Sequence, residues 1–296
     1  MNRHLVVKET NDPLCRVPQL IIGSKPIDDG QYIFTSEERR EFLAREPLAG
    51  RYMRPFVGSR EFINGVERWI LVLHDVPPNE LRAMPQVMKR ISAVREFRLK
   101  SKSPATQRLS TTPTSFHVTV VPDKPFLVIP ESSSGLRDYV PIGWLQPPVV
   151  PSSLVRVLVD ADLWHFGVLT SAMHMAWLSE IGGRIKSDYR YSVGIVYNTF
   201  PWPDATEQQR GKVRALAQGV LDARRSFPNS TLADLYDTEA MPPQLRKAHD
   251  ALDAAVDRLY AARAFKGDRD RVEHLFGRYE ALVAPLVASA RPRRRR

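Results

Sequence analysis

Arg68-Trp69-Ile70-Leu71-Val72-Leu73 is a short, nearly unbroken apolar run, bounded by Asn64-Gly65 before it and Pro77-Pro78 after it. A run of this length between turn residues reads as a buried strand. The next stretch has a different period. Met84, Val87, Met88, Ile91, Val94 and Phe97 fall at three- and four-residue spacing, which lays one apolar stripe along a helix. A strand followed at once by a helix, each with a core-facing side, points to an α+β domain.

The surrounding sequence fits that class. Leu5-Val6-Val7 opens an extended stretch punctuated by Pro13, Pro18 and Pro26, and Ile27-Asp28-Asp29-Gly30 reads as a turn. Thr35-Ser36-Glu37-Glu38 has the hydroxyl cap and early acids of a helix start; that helix runs to about Arg45, and Pro47 stops it. Downstream, Val118–Val121 and Phe126–Ile129 read as two strands separated by a Pro-Asp-Lys-Pro turn. Leu163–Ile181 reads as one largely apolar helix closed by Gly182-Gly183, and Tyr191–Tyr197 as a further strand. From Asp204 onward helical segments dominate, at about 206–226, 243–265 and 268–288. Leu245, Ala248, Leu252, Ala255, Val256 and Leu259 share one face of the second. The expected fold class is an α+β domain followed by a small all-α helical domain, with no internal repeat.

Lys and Arg number 43 against 33 Asp and Glu, giving a net charge of +10. A basic excess suits an anionic partner, nucleic acid foremost, and equally a solvated basic surface. Arg291-Pro292-Arg293-Arg294-Arg295-Arg296 supplies much of it; a basic disordered tail is expected at 289–296, and without its five arginines about +5 remains. Any DNA surface in the body must therefore come from local clustering. The lone Cys15 excludes an internal disulfide or multi-cysteine zinc site and reads as a small buried hydrophobe in a reducing cytoplasm. No apolar stretch is long enough to span a membrane.

The search for catalytic chemistry finds no residue to assign. Glycine-rich phosphate loops, a nucleophile elbow and metal-ligand spacings are all missing. His174, in the apolar stretch Ala-Met-His-Met-Ala-Trp, fits a hydrogen-bonded packing histidine better than a ligand, because no partner lies at ligand spacing. Asn198-Thr199-Phe200-Pro201-Trp202-Pro203 superficially matches the Asn-Pro-Pro-aromatic loop of amino-methylating enzymes, but no Pro-Pro follows the Asn, and the segment reads as structural with Trp202 packed.

Polar and basic residues gather instead in three places. Arg51–Gly65 interleaves Arg with aromatics, Asn and Gly; eight Lys or Arg and one acid lie between Arg82 and Arg108; Gly183–Tyr191 repeats the first pattern. Arg forks suit phosphates and guanine edges, Asn can read adenine, and Gly lets a backbone approach closely. A solvated helix face explains 82–108 equally well.

These stretches belong to a series of long motifs in order. They are Pro18-Gln19-Leu20-Ile21-Ile22-Gly23-Ser24-Lys25-Pro26, Arg54–Gly65 with Arg68-Trp69, Tyr139-Val140-Pro141-Ile142-Gly143-Trp144-Leu145, Phe166–Trp177, Gly183–Ser192 and Tyr197–Pro203. Leu232–Asp237, Met241-Pro242-Pro243 and Leu245–His249 follow in the helical part. Over nearly its whole length the chain resembles the C-terminal region of MmeI-type (type IIL) restriction–modification enzymes and related adenine-specific DNA methyltransferases. The resemblance implies a linker at 1–17 leading out of a missing catalytic domain, a DNA target-recognition domain at 18–203 and a helical C-terminal domain at 204–288. It implies double-stranded DNA as partner. S-adenosylmethionine would be bound in the missing domain and no cofactor in this chain. A split gene, a specificity subunit docking on a separately encoded methyltransferase, and a non-functional truncated remnant all stay open.

On this resemblance Ser133, Ser134 and Arg137 read base edges, while Arg54, Arg60, Arg95, Arg98, Lys100, Arg184, Lys186 and Arg190 position phosphates. Asn64, Tyr189 and Tyr191 are further candidates, for which hydrogen bonding within the fold is an equal alternative. Two departures stand out. Ile70 and Val72 replace the Cys and Trp of the family's Arg-Trp-Cys-Leu-Trp-Leu, and Ser133-Ser134-Gly135-Leu136-Arg137 stands where the family tends to have Ser-Ser-Glu-Arg-Arg. The second implies a different or relaxed target.

Overall fold

The computed structural model describes residues 6–290, with side chains to residue 285; the expected linker start at Asn2–Leu5 and the arginines of the tail lie outside the described residues. A mixed α/β N-terminal region gives way to helices after residue 206. The chain forms two compact units. One comprises residues 22–126 and 144–157, the other residues up to 21, 127–143 and everything from 158 on.

In the first unit the apolar run of the opening motif becomes the strand Trp69–Leu71. It lies between Ile33–Phe34 and Met53–Val57, antiparallel to both, with Ile33 opposite Ile70 and Met53 opposite Leu71. Val150–Pro151 adds a parallel edge beside Phe56 and Val57. Ile70, Leu71 and Leu73 are fully buried against Tyr32, Phe34 and Phe56. Thr35 caps Ser36–Arg45 as expected: its hydroxyl accepts the Glu38 N–H and the Glu38 carboxylate accepts the Thr35 N–H. The helix Pro85–Leu99 buries Met84, Val87, Ile91 and Val94, whereas Met88 and Phe97 are exposed.

The expected strand at Val118–Val121 does not form. Lys25 makes a single bridge to Val118, and then the Ser24 hydroxyl takes over, accepting the Val120 N–H (2.8 Å) and donating to its carbonyl (2.9 Å). A serine side chain has replaced a partner strand.

In the second unit the single helix expected over 163–181 is two, Leu163–Leu169 and Ala172–Ile181. Ser171 ends the first and caps the second by accepting the His174 N–H. Gly167 sits where a Cβ would stand 2.7 Å from Val213, so the helix Glu207–Arg225 crosses at close range. Tyr191–Tyr197 is not a strand. Val193–Tyr197 forms one wide helical turn, with the Asn198 N–H donating to the Val193 carbonyl five residues back. Residues 8–18 run along it without regular structure but tied, through Thr10 to Gly194, Leu14 to Asn198 and the Tyr197 hydroxyl to the Pro18 carbonyl. Pro243–Tyr260 and Asp268–Ala290 complete the helices, the former ending before the expected 265.

Candidate nucleic-acid interface

The second unit holds a small antiparallel sheet that gathers the candidates for base reading. Ser132–Ser133 pairs with Asp188–Arg190, which pairs in turn with Gly183–Ile185. Tyr189 lies opposite Ser133 and Arg190 opposite Ser132. Two residues turn the outer hairpin, and the first of them, Lys186, is held at φ +57°, a left-handed conformation uncommon for a side chain of that size. Arg184, Lys186 and Arg190 are exposed on this hairpin. Arg184 stacks over the Tyr189 ring (4.6 Å) and donates to the Ser187 carbonyl, so its side chain is already ordered. Arg190 lies 3.7 Å from the Glu131 carboxylate.

Beside the hairpin, residues 134–137 make a tight turn closed by the Arg137 N–H donating to the Ser134 carbonyl (3.3 Å). Gly135 presses on the hairpin: its N–H donates to Asp188 (3.4 Å), and a Cβ there would meet the Ser187 carbonyl oxygen at 2.1 Å. Arg137 is half-buried. Its guanidinium donates to the Ser133 hydroxyl (3.4 Å), while its Nε is buried without a hydrogen-bond partner. Burial lowers its affinity for the proton, against the pull of Asp188 and Asp237.

The C-terminal helices hold this turn from behind. The Thr238 hydroxyl donates to the Leu136 carbonyl and Arg246 pairs with Asp138 (3.1 Å). The Tyr139 hydroxyl donates to Asp253 (2.6 Å), and the Tyr139 ring stacks on His249 at 4.0 Å. His249 Nε2 meets the Tyr236 hydroxyl, which also accepts from Arg224 Nε, while Arg224 Nη1 donates to the Ile142 carbonyl. Burial holds His249 well below the usual histidine range, so the ring is neutral.

Several sequence assignments need correction. Ser133 is 4 % exposed, and its pairing with Tyr189 places it beneath Arg137 rather than toward a base. Arg98 is fully buried and donates five hydrogen bonds to carbonyls of Pro26, Ile27, Leu109, Thr112 and Ser115, so it cannot reach a phosphate. Tyr191 is buried with its hydroxyl on His174 Nε2 (2.8 Å). His174 is itself enclosed, its proton affinity pushed down to about 3 by burial, as suits a packing residue. Cys15 is half-buried rather than fully so. Of the other candidates, Arg60, Asn64, Arg95 and Lys100 are exposed in the first unit, and Arg54 is partly covered, its guanidinium on the Arg51 and Met53 carbonyls. Asn64 donates to the Arg60 carbonyl at the end of its own helix. The structure thus unites Ser134, Arg137, Arg184, Lys186, Tyr189 and Arg190, and sets the remaining cations in a separate unit.

Two family descriptions match end to end: "MmeI, target recognition domain" over residues 1–204 and "MmeI, C-terminal domain" over 205–287. The chain belongs to the MmeI family. The solved structure of the type IIL restriction-modification enzyme MmeI in complex with DNA is 40% identical and superimposes with a TM-score of 0.93, covering 95% of this chain and 38% of that one. DNA methyltransferase A of Bacillus subtilis (strain 168) is 34% identical over 280 residues, 95% of this chain and 32% of the relative. The chain therefore spans about a third of the length of these two relatives. The boundary between the two MmeI regions at 204 is not where the compact units divide, since the C-terminal helices pack with 127–143 and 158–203. Among the described residues there is no cluster of three or more metal-ligating side chains and no helix long and apolar enough to cross a membrane.

Proposed function

We propose that this chain is the sequence-reading part of an adenine-N6 DNA methyltransferase or restriction–modification system. In this reading, S-adenosylmethionine is bound and methyl transfer performed by a domain outside this sequence. The observation that carries the reading is the sheet of 132–133 with 183–190. It sets a rigid turn bearing Ser134 and Arg137 beside an exposed hairpin bearing Arg184, Lys186 and Arg190. Phosphate-binding cations fix register, and a pinned turn carrying a hydroxyl and a guanidinium offers donors to base edges. Kinship with an enzyme whose structure was solved with DNA supports the same partner here.

The test is selection from a random duplex library with the purified chain, at low and near-physiological salt. Enrichment of one short motif is the expected result; salt-sensitive binding without enrichment would leave only a basic surface. Two substitutions then separate the roles. Arg137→Ala should lose roughly 1–3 kcal/mol of discrimination at one base pair. Lys100→Ala should weaken all sequences alike and lower the salt slope by about one. Equal losses on selected and random DNA for Arg137→Ala would remove its base-reading role.

A further inference from the structure

We infer that Leu136 is a specificity-determining residue that packs against the C5-methyl group of a thymine in the target; the inference rests on the DNA-reading role proposed above. Leu136 is 79 % exposed, more than any other large hydrophobic side chain among the described residues. It occupies the tip of the turn at 134–137, a place that polar residues and glycine ordinarily fill. A solvated leucine there contributes nothing to the fold.

Its backbone is fixed on both sides. The Leu136 N–H donates to the Ser134 hydroxyl oxygen (3.3 Å) and its carbonyl accepts from Thr238. Gly135 before it is seated on the Ser187 carbonyl, and Arg137 after it is held on Ser133 and Ser134. The backbone therefore points the Cα–Cβ bond of Leu136 outward in a defined direction. The neighbouring hairpin carries Arg184 and Arg190 on its strands and Lys186 at its turn. Arg190 lies beside Glu131 and the Asp188 carboxylate takes the Gly135 N–H, which leaves Arg184 and Lys186 as the cations offered to a polyanion. On a DNA duplex, the apolar group offered at base edges is the thymine methyl in the major groove. Ser134 and Arg137, on either side of Leu136, would donate to the adjoining bases.

The experiment replaces thymine by uracil, which removes only that methyl, at each A·T pair of the selected motif in turn. Uracil at one position should weaken binding by the unsubstituted chain about fourfold, the worth of one buried methyl group. Leu136→Ala should bind the thymine and uracil duplexes equally, and Leu136→Met should keep the preference. Leu136 touches nothing the fold needs, so both variants will be folded. A motif without thymine, indifference of the unsubstituted chain to uracil, or an equal loss by Leu136→Ala on both duplexes would overturn the inference alone. Failure to enrich any motif would overturn the DNA-reading role and this inference with it.

Discussion

Arg98→Met will lower the stability of the chain by on the order of 5 kcal/mol, measured from its urea midpoint and slope. Methionine keeps most of the volume and the apolar contact, so the loss reports the hydrogen bonds together with the attraction between Arg98 and the buried Asp28. Arg98 Nε donates to the Ile27 carbonyl (2.9 Å), Nη1 to Leu109 and Thr112, and Nη2 to Pro26 and Ser115. One guanidinium thus serves five carbonyls. Those of Leu109 and Thr112 also accept the Thr112 and Ser115 N–H groups, so the substitution takes the donor from three, Pro26, Ile27 and Ser115. Each buried acceptor left bare costs about 1–3 kcal/mol, and partial relaxation keeps the total below the sum. Arg98→Lys should fall between the two, because an ammonium has three donors to offer. While folded, the lysine variant should keep the DNA salt dependence of the unsubstituted chain, in contrast to Lys100→Ala. A loss under about 1 kcal/mol for Arg98→Met would show that the carbonyls find other partners.

Asp253→Ala carries the second large effect, about 3 kcal/mol, since it strands one buried and one half-buried donor. These are the Tyr139 hydroxyl at 2.6 Å and the Ala172 N–H at 2.7 Å. The cost has a pH signature. Burial raises the Asp253 carboxyl to about 6, against the opposing pull of the Tyr139 and Ala172 bonds and of Arg271. An acid whose folded value lies above its unfolded one binds more protons in the native state between the two. Its contribution to stability is therefore greatest below about pH 4 and falls as pH rises through 6. The swing amounts to on the order of 2–3 kcal/mol. Asp253→Asn removes the titration, so the difference between the unsubstituted chain and this variant should grow as pH is lowered from 7 to 4. Parallel stability curves over that range would disprove the assignment. Because Tyr139 follows directly on the 134–137 turn, Asp253→Ala should also relax discrimination by the turn without changing any group that touches DNA.

The strand Trp69–Leu71, the capped helix from Ser36 and the three C-terminal helices were legible because each rests on local rules: apolar run length, capping chemistry and helical period. Arg98 shows where those rules mislead. The buried positions 84, 87, 91, 94 and 98 keep strict three–four spacing, so Arg98 continues the core stripe; choosing the apolar neighbour Phe97 instead followed residue type over geometry. The strands expected at 118–121 and 191–197 failed for a related reason. Their apolar content is real, but Ser24 and the irregular segment 8–18 satisfy these backbones through side chains and long-range bonds that have no period. Of the site, the basic hairpin was visible as a cluster, whereas Ser134 and Arg137 came from the family resemblance. Their union in one sheet depends on pairing across more than fifty positions, and the anchoring by Thr238, Arg246 and Asp253 on residues farther still.

Gly135 bears on how such a module can change its target. Position 135 has no room for a Cβ, because the Ser187 carbonyl oxygen fills that space. Positions 135 and 186–188 are thus coupled by geometry: a side chain at the first requires a different course of the hairpin at the second. If the turn reads DNA as proposed, randomising 133–137 alone would mostly set at 135 a side chain that the Ser187 carbonyl excludes, whereas libraries that vary the hairpin tip together with it would reach turns this backbone now forbids.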